Sequence, residues 1–270
     1  MSNEPEKISN LAISIGDAGG LGPEVALKAL AKIFADQNSV YSFRATLVGP
    51  EIWWRRELER LAASSEEIAS QRESLEGRLD FDSVVSADAD PHDGETNALQ
   101  GRVAGESLER AVELVQSGEA DAVVTAPLSK EGLALAGISY PGHTEYLRDL
   151  AMVKSTTMGF VGGGLKIALT TVHMPLREIF EAISEELIIE KLQHLNAFCH
   201  LLGIEHPRLS VCGINPHASE GGLFGNEEAE VISPAIERAI TLGLDVIGPL
   251  PGDTAFMESR NGNSDAVLAM

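Results

Sequence analysis

Two histidines stand in settings that suit metal binding. They are His173, in the segment TTVHMPLR (residues 170–177), and His217, in CGINPHASEGGLFG (residues 212–225). Each segment follows an apolar run typical of a β-strand, so both histidines are predicted on adjacent loops at strand carboxyl ends. In an open α/β sheet ligands bind at this edge, and neutral imidazole is the commonest metal ligand among side chains. Two ligands rarely hold a metal ion, so we expect a third ligand in addition to this pair.

A second candidate site lies in SYPGHTEY (residues 139–146). The Pro-Gly pair predicts a turn, which would place His143 and Thr144 at a helix N-terminus. Two interpretations remain open. Either both side chains contact a ligand, or Thr144 only caps the helix and His143 is a surface residue.

Lys130 follows the apolar strand predicted at residues 122–125. It could pair with a phosphate or carboxylate group, or be a solvated lysine near a helix start, and the sequence favours neither. The other histidines, at positions 92, 194, 200 and 206, show no pattern that predicts catalysis.

A glycine-rich loop, GDAGGLGPE (residues 16–24), lies between a predicted strand and a predicted helix. Backbone N–H groups in such a loop can bind an anion. The loop matches neither the dinucleotide-binding pattern G-x-G-x-x-G nor the P-loop pattern. A tight turn with a close helix approach is the favoured interpretation.

Elsewhere apolar strands alternate with amphipathic helices, which predicts an α/β fold with a mainly parallel sheet and helices on both faces. Residues 55–100 are charged and are predicted to form an irregular surface excursion. The proline at position 127 is the candidate boundary between a domain of residues 1–127 and a second of residues 128–270.

Composition limits the classes of function. The 270-residue chain carries a net charge of -21, which argues against non-specific binding to nucleic acid or to an anionic membrane. No apolar run approaches the ~18 residues of a membrane span, and the polar N-terminus is unlike a signal peptide. Two cysteines give no disulfide framework, so we expect a cytoplasmic protein.

Six segments together, in this order, resemble the 4-hydroxythreonine-4-phosphate dehydrogenase family of vitamin B6 biosynthesis. They are ISIGDAGGLGPE (13–24), TAPLSK (125–130), YPGHTE (140–145), HMPL (173–176), NPH (215–217) with GGLFG (221–225), and GPLPGDT (248–254). The resemblance spans the whole chain, and the combination of segments is specific.

The resemblance implies a fold like that of isocitrate and isopropylmalate dehydrogenases, with two α/β/α domains, a cleft between them and a homodimer. His173 and His217 would then bind a divalent metal ion such as Zn, Mg or Co. His143 and Thr144 would bind substrate, and Lys130 and Asp253 would line the catalytic site. NAD would be held without a dinucleotide fingerprint.

The implied reaction is NAD- and metal-dependent oxidation and decarboxylation of 4-phosphooxy-threonine to 3-amino-2-oxopropyl phosphate. One departure concerns the substrate. Asp17 is followed by Ala-Gly-Gly where the family has Pro-Ala-Gly. This departure favours, as an alternative, a paralogue that acts on threonate or erythronate 4-phosphate.

A second departure concerns the third metal ligand. The family continues after the Ala-Met position, here Ala269 and Met270, with Tyr-His-Asp-Gln, and that histidine is the third ligand. The expectation from the sequence is therefore a C-terminally truncated chain that is inactive as a dehydrogenase.

Overall fold

The computed structural model describes residues 9–36, 43–83, 91, 94–140 and 142–270. The chain forms two compact units, one up to Lys154 and one from Ser155 to Met270. The first unit therefore extends beyond the boundary at residue 127 that the sequence suggested, because two helices after that boundary pack against the long helix Ala98–Gln116.

The first unit holds a parallel four-stranded sheet with the strand order β3-β2-β1-β4. Its elements are β1 Ser9–Ser14, α1 Gly22–Ala35, β2 Phe43–Val48, α2 Glu51–Ser64, α3 Glu66–Glu76, β3 Leu79–Asp82, α4 Ala98–Gln116, β4 Ala122–Thr125, α5 Lys130–Leu135 and α6 His143–Leu150. Helix α4 crosses α5 closely, since a Cβ placed on Gly101 would overlap the carbonyl group of Gly132.

The prediction of an irregular surface segment at residues 55–100 is wrong for residues 55–82. Helices α2 and α3 and strand β3 occupy residues 51–82. Four apolar side chains of α2 are buried in the core of the first unit, namely Trp53, Trp54, Leu58 and Leu61. Their helical spacing is hidden among charged neighbours, which is why composition alone suggested a loop. Residues 84–90, 92 and 93 lie outside the described part of the chain.

The second unit holds a five-stranded sheet with the order β5-β6-β9-β7-β8. Its elements are β5 Gly159–Gly162, β6 Leu165–Leu169, α7 Leu176–Ala182, α8 Glu185–Leu201, β7 Arg208–Cys212, α9 Ser233–Thr241, β8 Asp245–Leu250, α10 Gly252–Arg260 and β9 Ala266–Ala269. Only β5 runs antiparallel to its neighbour in the described sheet. A single π-turn, Glu228–Ile232, precedes α9.

Parallel pairing gives the second sheet one edge at which several strands end together. Strands β6, β9, β7 and β8 are all parallel, so the loops that follow β6, β7 and β8 start from the same edge. The α/β class and the mainly parallel sheets predicted from the sequence are confirmed. Among the described residues, no helix has the length and apolar character needed to cross a membrane.

Candidate functional site

The predicted metal ligands start from the same edge of the second sheet. The loop with His173 follows β6, and the loop with His217 follows β7. Strand β9 lies between these two strands, so their axes are about 10 Å apart by two ordinary strand spacings. The loops are therefore next-but-one neighbours rather than adjacent, and the end of β9 at Ala269 lies between them.

The His173 loop is hydrogen-bonded to the end of β9. The backbone N–H of Thr170 donates to the carbonyl of Ala269 at 2.8 Å. The hydroxyl of Thr171 donates to the carbonyl of Met270, also at 2.8 Å. His173 itself is exposed, and its φ of 54° places it in the left-handed region. The chain thus turns sharply at the histidine, and the imidazole is exposed.

The His217 loop forms a longer left-handed turn. All six residues from position 217 to position 222 have positive φ, between 44° and 96°. Four of them carry side chains, namely His217, Ala218, Ser219 and Glu220. This conformation costs about 1–2 kcal/mol at each non-glycine residue, so it persists only where surrounding contacts hold it.

Those contacts converge on Glu228, the first residue of the π-turn. Its carboxylate is buried, with 4% of the residue exposed. One oxygen accepts the backbone N–H groups of Ile214 at 2.8 Å and Asn215 at 2.7 Å. The other accepts the side-chain amide of Asn215 at 2.9 Å and the hydroxyl of Ser219. Glu228 therefore joins both ends of the segment that carries His217.

The neighbouring Glu227 extends this network. Its carboxylate accepts the Asn215 side-chain amide at 2.7 Å. Hydrogen bonds from its own backbone N–H and from Asn215 hold the pKa of Glu227 below its ordinary value. The network leaves no room for side chains beside it. A Cβ on Gly213 would lie 2.9 Å from a Glu228 oxygen, and a Cβ on Gly225 would lie 2.6 Å from the Asn215 amide.

The chemistry of the two imidazoles fits part of a metal site. Both are exposed, and neither forms a hydrogen bond to any residue that the structure describes. Their nitrogens are thus open to an ion. Among the described residues, however, no three histidine, cysteine or acidic side chains lie close enough together to hold a metal ion. His173 and His217 supply two of the three metal ligands that the sequence predicts.

Asp253 belongs to the same sheet edge. It lies in the first turn of α10, which follows β8, and its side chain is exposed. One carboxylate oxygen accepts the backbone N–H of Thr254 at 2.9 Å. The other oxygen stays available to a ligand that approaches the carboxyl ends of the strands.

His143 and Thr144 are the first residues of α6 in the first unit. The N-cap of this helix is Gly142, and no side chain caps it, so the interpretation of Thr144 as a mere cap is wrong. His143 is half-buried rather than on the surface. Its Nε2 atom is buried without a hydrogen-bond partner in the described part of the chain. Burial lowers the pKa of His143, so the ring is neutral near pH 7.

Helix α6 is fixed by a residue that the sequence did not single out. Tyr146 is 2% exposed, and its hydroxyl donates to Glu109 of α4 at 2.6 Å. Its ring stacks on Tyr140, with the ring centroids 4.3 Å apart. These contacts set the position of the helix start that carries His143.

Lys130 starts α5, whose cap is the Ser129 side chain. The lysine is exposed and has no ion-pair partner in the described ranges. The neighbouring glycine-rich loop packs against the backbone after β4. The backbone N–H of Asp17 donates to the carbonyl of Pro127 at 2.7 Å. A Cβ on Gly16 would lie 2.3 Å from that oxygen, which supports the interpretation of this loop as a tight turn.

Glu228 was also missed by the sequence analysis. It stands in an acidic run with Glu227 and Glu230, and nothing in the sequence marks it as buried. The only available signal was the concentration of glycines and Asn215 around His217, since such loops need a partner for their backbone N–H groups.

Comparisons with known proteins agree with this architecture. The family model described as "Pyridoxal phosphate biosynthetic protein PdxA" matches residues 39–270. A putative D-threonate 4-phosphate dehydrogenase from Oceanobacillus iheyensis is 36% identical, over 96% of this chain and 79% of its own length. A 4-hydroxythreonine-4-phosphate dehydrogenase from Pseudomonas aeruginosa is 37% identical, over 96% of this chain and 79% of its own.

A solved structure shows the same fold. The crystal structure of a 4-hydroxythreonine-4-phosphate dehydrogenase from Burkholderia phymatum superposes with a TM-score of 0.82 at 37% identity, covering 98% of this chain and 80% of that one. The shared fold and the named relatives thus place the chain in a class of α/β proteins whose members compared here are dehydrogenases. The chain belongs to the PdxA family, and its relatives named here are dehydrogenases.

Proposed function

We propose that the protein is a metal- and NAD-dependent dehydrogenase that oxidises and decarboxylates a four-carbon hydroxy acid phosphorylated at C4. Membership of the family supports the reaction class. The observation that carries the site is the placement of the His173 and His217 loops on either side of the end of β9. The family's third histidine follows the Ala-Met position, which corresponds here to Ala269 and Met270. A histidine at that position would lie between the two loops.

The roles of the residues follow from their surroundings. His173 and His217 would hold the divalent ion, which when bound supplies Lewis acidity at the substrate hydroxyl oxygen. Neutral His143 can accept a hydrogen bond or a proton from a substrate hydroxyl, and Thr144 can bind a substrate oxygen beside it. Exposed Lys130 can pair with a phosphate or carboxylate group. Asp253 can accept a proton or a hydrogen bond at the edge of the second sheet.

NAD is proposed as the hydride acceptor only on the family resemblance. The glycine-rich loop after β1 is packed against the backbone at residues 126 and 127, so Gly16 has a structural explanation. A homodimer, with the site completed across the dimer, belongs to the same proposal.

Two substrates are candidates. The first is 4-phosphooxy-threonine, which gives 3-amino-2-oxopropyl phosphate after loss of carbon dioxide. The second is threonate 4-phosphate or its erythronate epimer, which carries a hydroxyl group in place of the amine at C2. The Ala-Gly-Gly sequence after Asp17 and the name of the relative from Oceanobacillus iheyensis favour the second candidate.

A substrate panel tests the proposal. Each phosphorylated acid is offered with NAD or NADP and with Zn²⁺, Co²⁺ or Mg²⁺, and formation of the reduced nicotinamide is followed. The panel is run on the 270-residue chain and on the chain extended with the family C-terminus, because the extension would supply the family's third histidine. Failure of both forms on every substrate would contradict the proposed function.

A further inference from the structure

We infer that Glu228 is the positioning residue for His217: its buried carboxylate holds the left-handed turn that points the imidazole toward the proposed metal site. This inference rests on the proposed function for the role of His217. The hold of Glu228 on the turn can be tested without it.

The first argument is the number and kind of bonds. The Glu228 carboxylate accepts four hydrogen bonds, two from backbone N–H groups and two from side chains. A carboxylate forms stronger hydrogen bonds than a neutral acceptor does. Together they offset the conformational cost of the left-handed residues 217–220. No other described side chain bonds to the chain on both sides of His217.

The second argument is the placement of the carboxylate. Glu228 opens a π-turn, a local feature that is frequent at functional sites. Gly213 has no side chain to obstruct Glu228, since a Cβ there would come within 2.9 Å of its oxygen. His217 lies on the exposed outside of the turn that the carboxylate holds from inside. Glu228 acts on the ligand through the backbone and does not contact it.

Two variants of Glu228 distinguish the bonds from backbone N–H groups from the bonds from side chains. In Glu228→Gln the amide oxygen can still accept from Ile214 and Asn215, but the amide nitrogen faces the Asn215 side-chain amide, a donor facing a donor. Glu228→Ala removes all four bonds. Ser219→Ala removes one bond only and serves if the other variants fold poorly. Glu230→Gln changes an exposed carboxylate on the same π-turn and is the matched control.

The deciding measurement is amide hydrogen exchange. We expect exchange in residues 213–226 to accelerate about 10-fold or more in Glu228→Ala, less in Glu228→Gln and least in Ser219→Ala. The loop at residues 170–175 should exchange as in the parent protein, and Glu230→Gln should change neither. The imidazole resonances of His217 should shift while those of His173 stay. Unchanged exchange at residues 213–226 in Glu228→Ala would overturn the inference.

Cobalt titration links the turn to the metal site. If the parent chain binds Co²⁺ through His217, Glu228→Gln should weaken that affinity about 10-fold or more. Equal affinities in the parent and in Glu228→Gln would overturn the positioning role. If the parent and the extended chain bind no Co²⁺, the metal proposal fails, while the exchange measurement still decides whether Glu228 holds the turn.

Discussion

At the scale of single residues, the candidate site depends on where the chain leaves regular structure. His173 and His217 both have a φ of 54°, a conformation that residues with a Cβ adopt rarely. Backbone strain of this kind is often found at functional sites, and it persists only where surrounding contacts maintain it. For His217 those contacts are the Glu228 hydrogen bonds, and for His173 they are the bonds to the end of β9.

The histidine pair gives the first prediction. Replacement of either His173 or His217 by alanine should reduce the Co²⁺ affinity of the protein by at least ~10-fold, because a two-donor site loses half of its donors. The measurement is a Co²⁺ titration followed by visible absorption. His206→Ala, an exposed histidine in the same unit, is the control and should bind as the parent does. Equal affinity in all three variants would remove both residues from the metal site.

The second prediction concerns the charge of His143. Burial holds its pKa below the ordinary value of 6.5, so the unfolded chain binds the proton more readily than the folded one. The contribution to stability is complete above pH 6.5 and is lost as the pH falls through 6.5 toward the folded pKa. An NMR titration, assigned with His143→Gln, should show a midpoint below 6.5. A midpoint above 6.5 would contradict the neutral ring assigned here.

At the scale of elements, helix termini and tight turns place the candidate residues. The position of His143 and Thr144 at the start of α6 is set by Tyr146, one turn further on, whose hydroxyl donates to Glu109 of α4. The glycine-rich loop keeps β1 close to the chain after β4, where Lys130 begins α5. In both cases packing between elements sets the position of the functional group.

The anchor of α6 gives the third prediction. Tyr146→Phe keeps the ring stacked on Tyr140 and removes only the hydrogen bond to Glu109. We expect a loss of about 1 kcal/mol of stability, since the carboxylate of Glu109 is exposed and regains water. The KM for the phosphorylated substrate should rise while kcat changes less. Thermal unfolding and steady-state kinetics measure the two effects, and an unchanged KM would show that α6 does not need this bond.

The turn after β1 gives the fourth prediction. Gly16→Ala combines a φ of 67° with a Cβ only 2.3 Å from the carbonyl of Pro127. It should destabilise the protein by about 3 kcal/mol, from the left-handed strain and the overpacking together. Gly118→Ala is the control, because it has a φ of 79° with no atom within 4 Å, and should cost about 1 kcal/mol. If denaturant unfolding shows equal losses of stability for the two variants, the loop moves to accept the Cβ and its close packing does not contribute.

At the scale of the whole molecule, strand order decides which loops can cooperate. His173, His217 and Asp253 are separated by long stretches of sequence, yet they follow parallel strands of one sheet. Lys130, His143 and Thr144 belong to the other compact unit. The candidate residues thus fall into two groups, each organised by its own sheet and core.

Strand order also gives the fifth prediction. Extension of the chain beyond Met270 with the family sequence Tyr-His-Asp-Gln would place a histidine between the His173 and His217 loops. A third imidazole should raise the Co²⁺ affinity by about 100-fold or more. A control extension with alanine in place of that histidine should give no gain. Equal affinity for the two extensions would show that the end of β9 does not lead into the metal site.

The sequence by itself determined the α/β class, the strands before both histidines, and the family, because apolar periodicity and short motifs are local properties of the chain. It did not determine helices α2 and α3, whose buried faces are hidden among charged residues. Nor did it determine that β9 lies between β6 and β7, or that Glu228 is buried beneath the His217 turn. Strand order and the burial of a carboxylate depend on contacts between residues far apart in the chain, so only the tertiary structure decided them.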